Sequence, residues 1–343
     1  MRNRLILAAA ILGFGMAASP SRAETRLFVG GFGGELERAL RTYVFPKFEQ
    51  DNDVRIDYVA ANAAPALARM QAQQGKQELD VVMLDDGPMY QAIALGLCAP
   101  VETARRNELY DVANIQGRAV GVGMAATGLG YNTKIFAEKG WPAPTSWNDL
   151  GDAKFRKLVL VPGLDTTQGI HMLVTMARIN GGSEDNIDPG FQAIKRLVAP
   201  NVLSFEGSPG QITEMFQNGD VVLSVYANSR IRAIADAGLP LAFVYPKEKA
   251  VGVTTSLCPV QGGPHPAMAQ KFLDYMLQPD VQVLLATKYG WGPTNTKTQL
   301  DPDTRQRVIY GAAQNNDLAR VDWNKVNQHR ADWTRRWQRE IER

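Results

Sequence analysis

The sequence has 343 residues, of which 45% are hydrophobic and 21% are charged; these fractions are typical of a globular protein and exclude a disordered one. Its formal net charge of +2 excludes a nucleic-acid-binding protein that relies on a strongly basic surface. The three histidines and two cysteines show none of the spacings that bind zinc, so we expect no metal site and no cofactor.

The N-terminus predicts an export signal. Residues 1–4 carry two arginines, residues 5–18 are uncharged, and residues 21–23 place small side chains where a signal peptidase reads the chain. The apolar run is shorter than the roughly 20 residues of a membrane-spanning helix, although a retained anchor is the alternative. We therefore predict a signal peptide over 1–23 and a periplasmic location. Its removal leaves 34 basic against 35 acidic residues.

Strand and helix patterns alternate from the start of the mature chain. The apolar or alternating runs 26–30, 54–59 and 79–84 predict strands, and the apolar periods in 35–50 and 64–74 predict helices. This alternation indicates βαβ units and a mainly parallel sheet, whose ligand sites lie at the carboxyl ends of the strands. A mature chain of about 320 residues also exceeds one ordinary core, so we predict two lobes.

The same pattern continues through the middle of the chain. Runs at 120–124, 158–162, 221–226 and 241–245 predict strands, and 168–180 predicts a helix. The chain has no internal repeat and no low-complexity linker.

A glycine-rich loop, Gly30 to Gly34 with Phe32 and Gly33 at its centre, follows the first predicted strand. Glycines there allow a ligand to approach the backbone, and the next helix could donate N–H groups to a carboxylate or phosphate. The spacing does not match the dinucleotide fingerprint, which argues against a Rossmann cofactor site.

Two acids, Asp85 and Asp86, directly follow the predicted strand at 79–84. They could bind an ammonium group of a ligand, or they could cap the helix that begins near Pro88, because Asp is a favoured N-cap residue. The sequence leaves both roles open. It also leaves open whether Cys98 and Cys258 form a disulfide or remain two buried thiols.

An enzyme is the rival reading of a chain of this size. His171, His265 and His329 are far apart, and no G-x-S-x-G nucleophile elbow occurs. Neither cysteine lies in a recognisable catalytic setting. We therefore expect a protein that is not an enzyme, with a periplasmic enzyme as the alternative of another class.

Six short motifs occur in a fixed order along nearly the whole mature chain. They are LDVV at 79–82, GLGYNTK at 128–134, TSWNDL at 145–150, MFQNGDV at 215–221, FLDYMLQPDV at 272–281 and GWGPTN at 290–295. In this order they resemble the periplasmic solute-binding proteins of ABC importers with type II topology, and within them the spermidine/putrescine-binding group. The resemblance implies an α/β fold of two lobes, each a mainly parallel sheet flanked by helices, with the ligand cleft between them.

The family layout is discontinuous in sequence. The resemblance implies a first lobe of residues 24–122 plus 252–294 and a second lobe of 123–251 plus 295–343. The chain would cross between the lobes near 121–123, near 251–253 and near Pro293. Glycines and extended segments at these places suit hinges that absorb backbone rotation.

The resemblance also points to individual cleft residues. Phe32 takes the place of an aromatic wall residue, and Tyr226 and Trp291 keep aromatic character at cleft positions. Asp165 and Gln168 stand where polyamine binders place two acids, and Thr255 stands where that group has another. The sequence thus has fewer acids at cleft positions than a polyamine requires. Compared with that group, it has additional hydroxyl groups, such as that of Thr166.

Arg230 follows the strand that ends at Tyr226 and could pair with a carboxylate in two parallel hydrogen bonds, although a surface position is the alternative. We therefore predict a receptor that captures a small amine-bearing solute, either polyamine-like or a zwitterion such as an amino acid or γ-aminobutyrate. Binding of a small anion such as a phosphonate or carboxylate is the alternative. The expected partners are that solute and the membrane permease of an ABC importer, and we expect a monomer.

Overall fold

The computed structural model describes residues 25–205 and 207–342, so the predicted signal peptide lies outside the described residues. The described residues form ten strands in a single mixed sheet. The strands are β1 (Thr25–Gly31), β2 (Val54–Ala60), β3 (Val81–Asp85), β4 (Asn114–Ile115), β5 (Ala119–Asn132), β6 (Val159–Leu160), β7 (Val202–Ser204), β8 (Leu223–Ala227), β9 (Leu241–Val244) and β10 (Val251–Pro259).

Fourteen α-helices flank this sheet in the part of the chain that the structure describes. They are α1 (Glu35–Ala39), α2 (Phe45–Asn52), α3 (Ala63–Ala72), α4 (Asp86–Ala94), α5 (Thr133–Glu138), α6 (Thr167–Ile179), α7 (Asp188–Ala193), α8 (Pro209–Asn218), α9 (Asn228–Asp236), α10 (Pro266–Met276), α11 (Pro279–Lys288), α12 (Pro302–Arg307), α13 (Gly311–Asp317) and α14 (Trp323–Glu340). A π-helical turn, Leu40–Val44, joins α1 to α2, so the helix predicted over 35–50 is continuous.

The sheet has the strand order β2-β1-β3-β10-β5-β8-β6-β7, and β4 and β9 pair with β5. On one side β1 is parallel to β2 and β3, and on the other β6 is parallel to β7 and β8, as predicted. At the centre, β10 is antiparallel to β3 and β5, and β5 is antiparallel to β8. The centre of the sheet is antiparallel, whereas a mainly parallel sheet was predicted. The reason is that β5 and β10 cross between the two halves of the sheet in opposite directions.

The long strand β5 is the largest difference from the predicted elements, since only 120–124 had a strand pattern. The glycines of β5 interrupt the apolar pattern that would predict the rest of the strand. They leave room for side chains of neighbouring elements. A Cβ atom on Gly123 would lie 2.3 Å from the Trp291 ring, and one on Gly130 would lie 2.2 Å from Ile231. Glycine is therefore required here for packing rather than for a turn.

The two largest clusters of buried side chains lie on opposite halves of the sheet, as a two-lobe fold requires. One cluster draws its members from residues 27–122 and 257–291. The other draws them from 129–251 and from the C-terminal residues 323–341, including Trp333 and Trp337 of α14. Each half of the sheet thus has its own core, and the boundary falls on β5 and β10.

A disulfide joins Cys98 to Cys258, whose Cα atoms are 5.6 Å apart. It links the segment after α4 to the end of β10, which is where the chain returns to the first core. Within the described ranges, no helix combines the length and the apolar character that a membrane span needs.

Candidate functional site

A cavity of 160 Å³ lies where the two halves of the sheet face each other. The first half contributes its first wall, which consists of Phe32, residues 62–65 and Asp85. The second half contributes the second wall, which consists of residues 165–168, Gly207, Pro209, Tyr226 and Arg230. The cavity is smaller than the roughly 300–1,000 Å³ of sites for drug-sized ligands, so it suits a short solute.

Asp85 is the acid of the first wall and comes at the carboxyl end of β3. Its carboxylate is buried, and the Thr255 hydroxyl on β10 donates a 2.8 Å hydrogen bond to it. Burial raises the pKa of Asp85, while hydrogen bonds from Thr255 and Thr167 and the charge of Arg230 oppose that increase. Although Asp85 occupies the N-cap position of α4, its side chain makes no capping hydrogen bond, so its role as a helix cap is not realised.

Asp86 has a different environment although it is the next residue. It lines neither of the cavities that the predicted residues share. Burial and the neighbouring Asp85 charge raise the pKa of Asp86 to about 7, and a hydrogen bond from Trp323 opposes the increase. The two adjacent acids therefore diverge, one toward the cleft and the other toward the C-terminal helix.

Arg230 is the cation of the second wall and lies in the first turn of α9. Its guanidinium is 5.7 Å from the centre of the Phe32 ring and 5.8 Å from that of Tyr226. The contact with Phe32 joins the two walls. Among the described residues, no carboxylate oxygen lies within 4.0 Å of this guanidinium. Arginine stays charged at neutral pH, so the cleft contains a cation that Asp85 attracts only at longer range, without a direct ion pair in the described chain.

The loop before α6 supplies the rest of the second wall. The Thr166 hydroxyl accepts a 3.0 Å hydrogen bond from the Gly169 N–H and donates one of 2.8 Å to the Gly163 oxygen. Thr166 is thus the N-cap of α6, which fixes the loop in place. Asp165 is exposed at the cavity, whereas Gln168 is buried beneath it. An exposed carboxylate at the rim is available to a ligand ammonium.

A second, smaller cavity of 20 Å³ lies beneath the first and shares Phe32, Asp85, Gln168 and Arg230 with it. Thr255 and Trp291 line this inner cavity. The Trp291 ring is only 3% exposed, belongs to the first core cluster and packs edge-on against Tyr289. Trp291 therefore forms the floor of the site rather than an open wall.

The structure brings nine of the eleven predicted site residues to these two cavities: Phe32, Asp85, Asp165, Thr166, Gln168, Tyr226, Arg230, Thr255 and Trp291. Gly33 and Asp86 line neither. Sequence reasoning missed Tyr289, which lines the inner cavity and influences the pKa of Arg230, and residues 62–65 of the first wall. Tyr289 directly precedes the motif GWGPTN at 290–295 and lies two residues before Trp291. Its position could therefore have indicated a site residue.

The model of a family described as bacterial extracellular solute-binding protein matches residues 44–311. The gamma-aminobutyric acid-binding protein of Pseudomonas aeruginosa is 24% identical over 323 residues, which cover 91% of this chain and 89% of that protein. The spermidine/putrescine-binding periplasmic protein of Salmonella typhimurium is 25% identical over 203 residues, or 58% of this chain and 56% of that protein.

The fold is also similar to solved structures. The crystal structure of the binding protein MotA of A. tumefaciens B6 in complex with glucopine superposes with a TM-score of 0.79 at 18% identity. The superposition covers 92% of this chain and 100% of that one. At this identity the likeness establishes a shared fold.

Proposed function

The chain belongs to the bacterial extracellular solute-binding proteins, and from this premise we propose that it captures a short zwitterion, with one acidic group and one ammonium group, such as γ-aminobutyrate. It is a solute-binding receptor of an ABC importer. The bound acid would lie against Arg230 of the second wall, and the ammonium would lie near the carboxylates of Asp85 and Asp165. Phe32 and Tyr226 would enclose the solute between them.

The observation that supports this proposal is that Arg230 forms no direct ion pair with an acid of the described residues. A partly buried guanidinium loses hydration, and an acidic partner recovers that free energy through charge-assisted hydrogen bonds. No acid within 4.0 Å in the described chain provides it. A solute carboxylate or phosphonate completes the site, and a relative that aligns with 91% of this chain is named for a carboxylate-bearing amine.

A long polyamine fits this cleft less well. Its ammonium groups each require a nearby acid, yet Gln168 and Thr255 offer an amide and a hydroxyl. Arg230 repels a second ammonium at the inner end of the cavity. A purely anionic solute would satisfy Arg230, but it would also lie against Asp85 and Asp165. A polyamine thus leaves the charge of Arg230 unpaired, and an anion leaves those of Asp85 and Asp165 unpaired.

We propose that the solute shifts the protein toward a closed state by bridging both walls. The two cores support a first lobe of 24–122 plus 252–294 and a second lobe of 123–251 with the C-terminal helix. The contacts of Asn295 and Lys297 with Glu108 favour a later final boundary, near residue 310. Solute contacts with both lobes would supply the differential affinity that closure requires.

The proposed function also includes export of the chain and a partner in the membrane. We propose that residues 1–23 direct export and are removed, and that the mature monomer delivers its solute to a membrane permease. Neither a nucleic-acid partner nor catalysis is part of this function. The names of the relatives as binding proteins support it.

A thermal-shift screen of the mature protein tests the proposed solute class. A ligand at 100 times its dissociation constant stabilises the folded state by about 2.7 kcal/mol, which raises the melting temperature measurably. We expect shifts with γ-aminobutyrate or an aminoalkylphosphonate. Shifts with polyamines alone, or with inorganic phosphate alone, would contradict the proposal.

A further inference from the structure

One face of the C-terminal helix α14 contacts both α4, which directly follows Asp85 of the first wall, and the loop of the second wall. Trp323, Asn327 and Arg330 follow each other at spacings of four and three residues, which places them on one side of a helix. None of the three lines either ligand cavity. We call this surface the bridging face.

The N-terminal part of the bridging face contacts the start of α4, one and two residues after Asp85 of the first wall. A Cβ atom on Gly87 would lie 2.4 Å from the Trp323 ring, so the indole packs directly on the backbone of α4. The Asn327 amide donates a 3.2 Å hydrogen bond to the Gly87 oxygen. Trp323 is also a hydrogen-bond partner of Asp86, the residue next to Asp85.

The C-terminal part of the bridging face contacts the loop of the second wall. The Arg330 guanidinium donates hydrogen bonds of 3.2 and 3.3 Å to the oxygens of Leu164 and Asp165. These carbonyl groups belong to the loop that ends in the α6 cap at Thr166. Arg330 therefore holds the backbone that presents Asp165 to the cavity.

The apolar side of α14 is fixed to the second core by Trp323, Trp333 and Trp337. The bridging face, by contrast, is incompletely bonded, since Asn327 Oδ1 and Arg330 Nη1 are buried without a hydrogen-bond partner among the described residues. Unsatisfied polar atoms at a contact lower the free energy needed to change it. The helix is thus anchored by its tryptophans, while the polar contacts that Asn327 makes with α4 and Arg330 makes with the Asp165 loop are incompletely satisfied and are the ones most easily exchanged.

We propose that the bridging face positions the Asp85 end of the first wall relative to the Asp165 loop of the second, and so sets solute affinity without touching solute. Trp323, Asn327 and Arg330 are positioning residues in this view. The part of the inference that concerns affinity rests on the proposed function, whereas the coupling between the walls does not.

Hydrogen–deuterium exchange of the ligand-free protein tests the coupling. Gly87→Ala forces the Trp323 ring away from the first wall, and we expect faster exchange in residues 163–170 of the opposite wall. Arg335→Met is the matched control, because Arg335 is on the same helix with a side chain that is 68% exposed. An effect of Gly87→Ala confined to α4 and α14 would overturn the inference. If that variant does not fold, Asn327→Ala provides the same readout.

Calorimetric titration with γ-aminobutyrate tests the effect on affinity. We expect Arg330→Met to weaken binding about tenfold with little change in melting temperature, Arg330→Lys to restore part of the loss, and Arg335→Met to bind as the wild type does. Equal affinities of wild type and Arg330→Met would overturn the inference. If wild type binds no γ-aminobutyrate while the exchange coupling is present, the proposed solute is wrong and the coupling stands.

Discussion

The two walls of the cleft hold their charges in opposite ways. On the first wall, Asp85 is buried, and its carboxylate receives a hydrogen bond from the neutral Thr255 hydroxyl. On the second wall, Arg230 lies over aromatic rings with no acid within 4.0 Å among the described residues. In the proposed function, Arg230 of the second wall binds the acidic group of the solute, while Asp85 of the first wall and Asp165 at the rim receive the ammonium.

The largest expected effect is a loss of stability on substitution of Trp291, which forms the floor of the site. Trp291→Ala should lower the free energy of unfolding by about 3–5 kcal/mol, because the indole fills the first core and the space above Gly123. Urea denaturation measures this loss. Tyr245→Ala is the control, since Tyr245 is 51% exposed and should change stability little. An equal, small effect of both variants would show that Trp291 is a replaceable wall residue.

Substitution of Arg230 removes the positive charge of the second wall and so tests the difference between the walls most directly. Arg230→Met should weaken γ-aminobutyrate binding about 100-fold, because the solute carboxylate is left without its charged partner. Isothermal titration calorimetry measures the change. Arg232→Met, on the same helix and paired with Asp236 outside both cavities, should bind normally. Unchanged affinity in Arg230→Met would remove the acid-binding role from the second wall.

A smaller effect is expected at the rim of the cleft. Asp165→Asn should weaken binding of the same solute about tenfold, since an exposed carboxylate contributes less than a buried charge pair. The exposed Asp185, which pairs with Lys325, gives the matched control Asp185→Asn. If both variants bind as the wild type does, the ammonium lies at Asp85 alone.

The smallest expected effect is a pH-dependent change in melting temperature, which distinguishes Asp86 from the adjacent Asp85. The pKa of Asp86 is raised to about 7, so its stabilising contribution is complete below the pKa of an unfolded Asp and is lost as pH rises through 7. The melting temperature of Asp86→Asn should therefore gain a few degrees on wild type between pH 4 and 8. Asp85, Arg320 and Tyr90 face Asp86 and are present in both proteins.

A second titrating group acts in the opposite direction over part of this range. Burial lowers the pKa of His171 to about 3, so its contribution is present above the pKa of an unfolded His and is lost as pH falls. Because His171 is unchanged in the variant, the difference between the two melting curves isolates Asp86. A difference that does not vary with pH would contradict the raised pKa.

Much of this could be predicted from the sequence, because the relevant signals are local. Apolar periods located most strands and helices, and the family resemblance carried by six short motifs was confirmed. Side-chain direction could not be predicted. Asp85 and Asp86 have the same chemistry and adjacent positions, and only the packing of Trp323 against Gly87 separates their roles.

The contribution of the C-terminal helix was also beyond the sequence. Arg330 contacts the Asp165 loop 165 residues earlier in the chain, and no local pattern reports such a contact. Likewise, glycine in β5 has the appearance of a turn until the side chains that fill its Cβ positions are known. Long-range packing decides both features.

The most direct test of the central claim is calorimetric titration of the mature wild-type protein with four solutes of equal carbon number. γ-Aminobutyrate has both charges, butyrate only the acid, butylamine only the ammonium, and putrescine two ammonium groups. A cleft that contains Arg230 together with Asp85 and Asp165 predicts that γ-aminobutyrate binds at least tenfold more tightly than each of the other three. Equal or tighter binding of putrescine or butyrate would contradict recognition of a zwitterion.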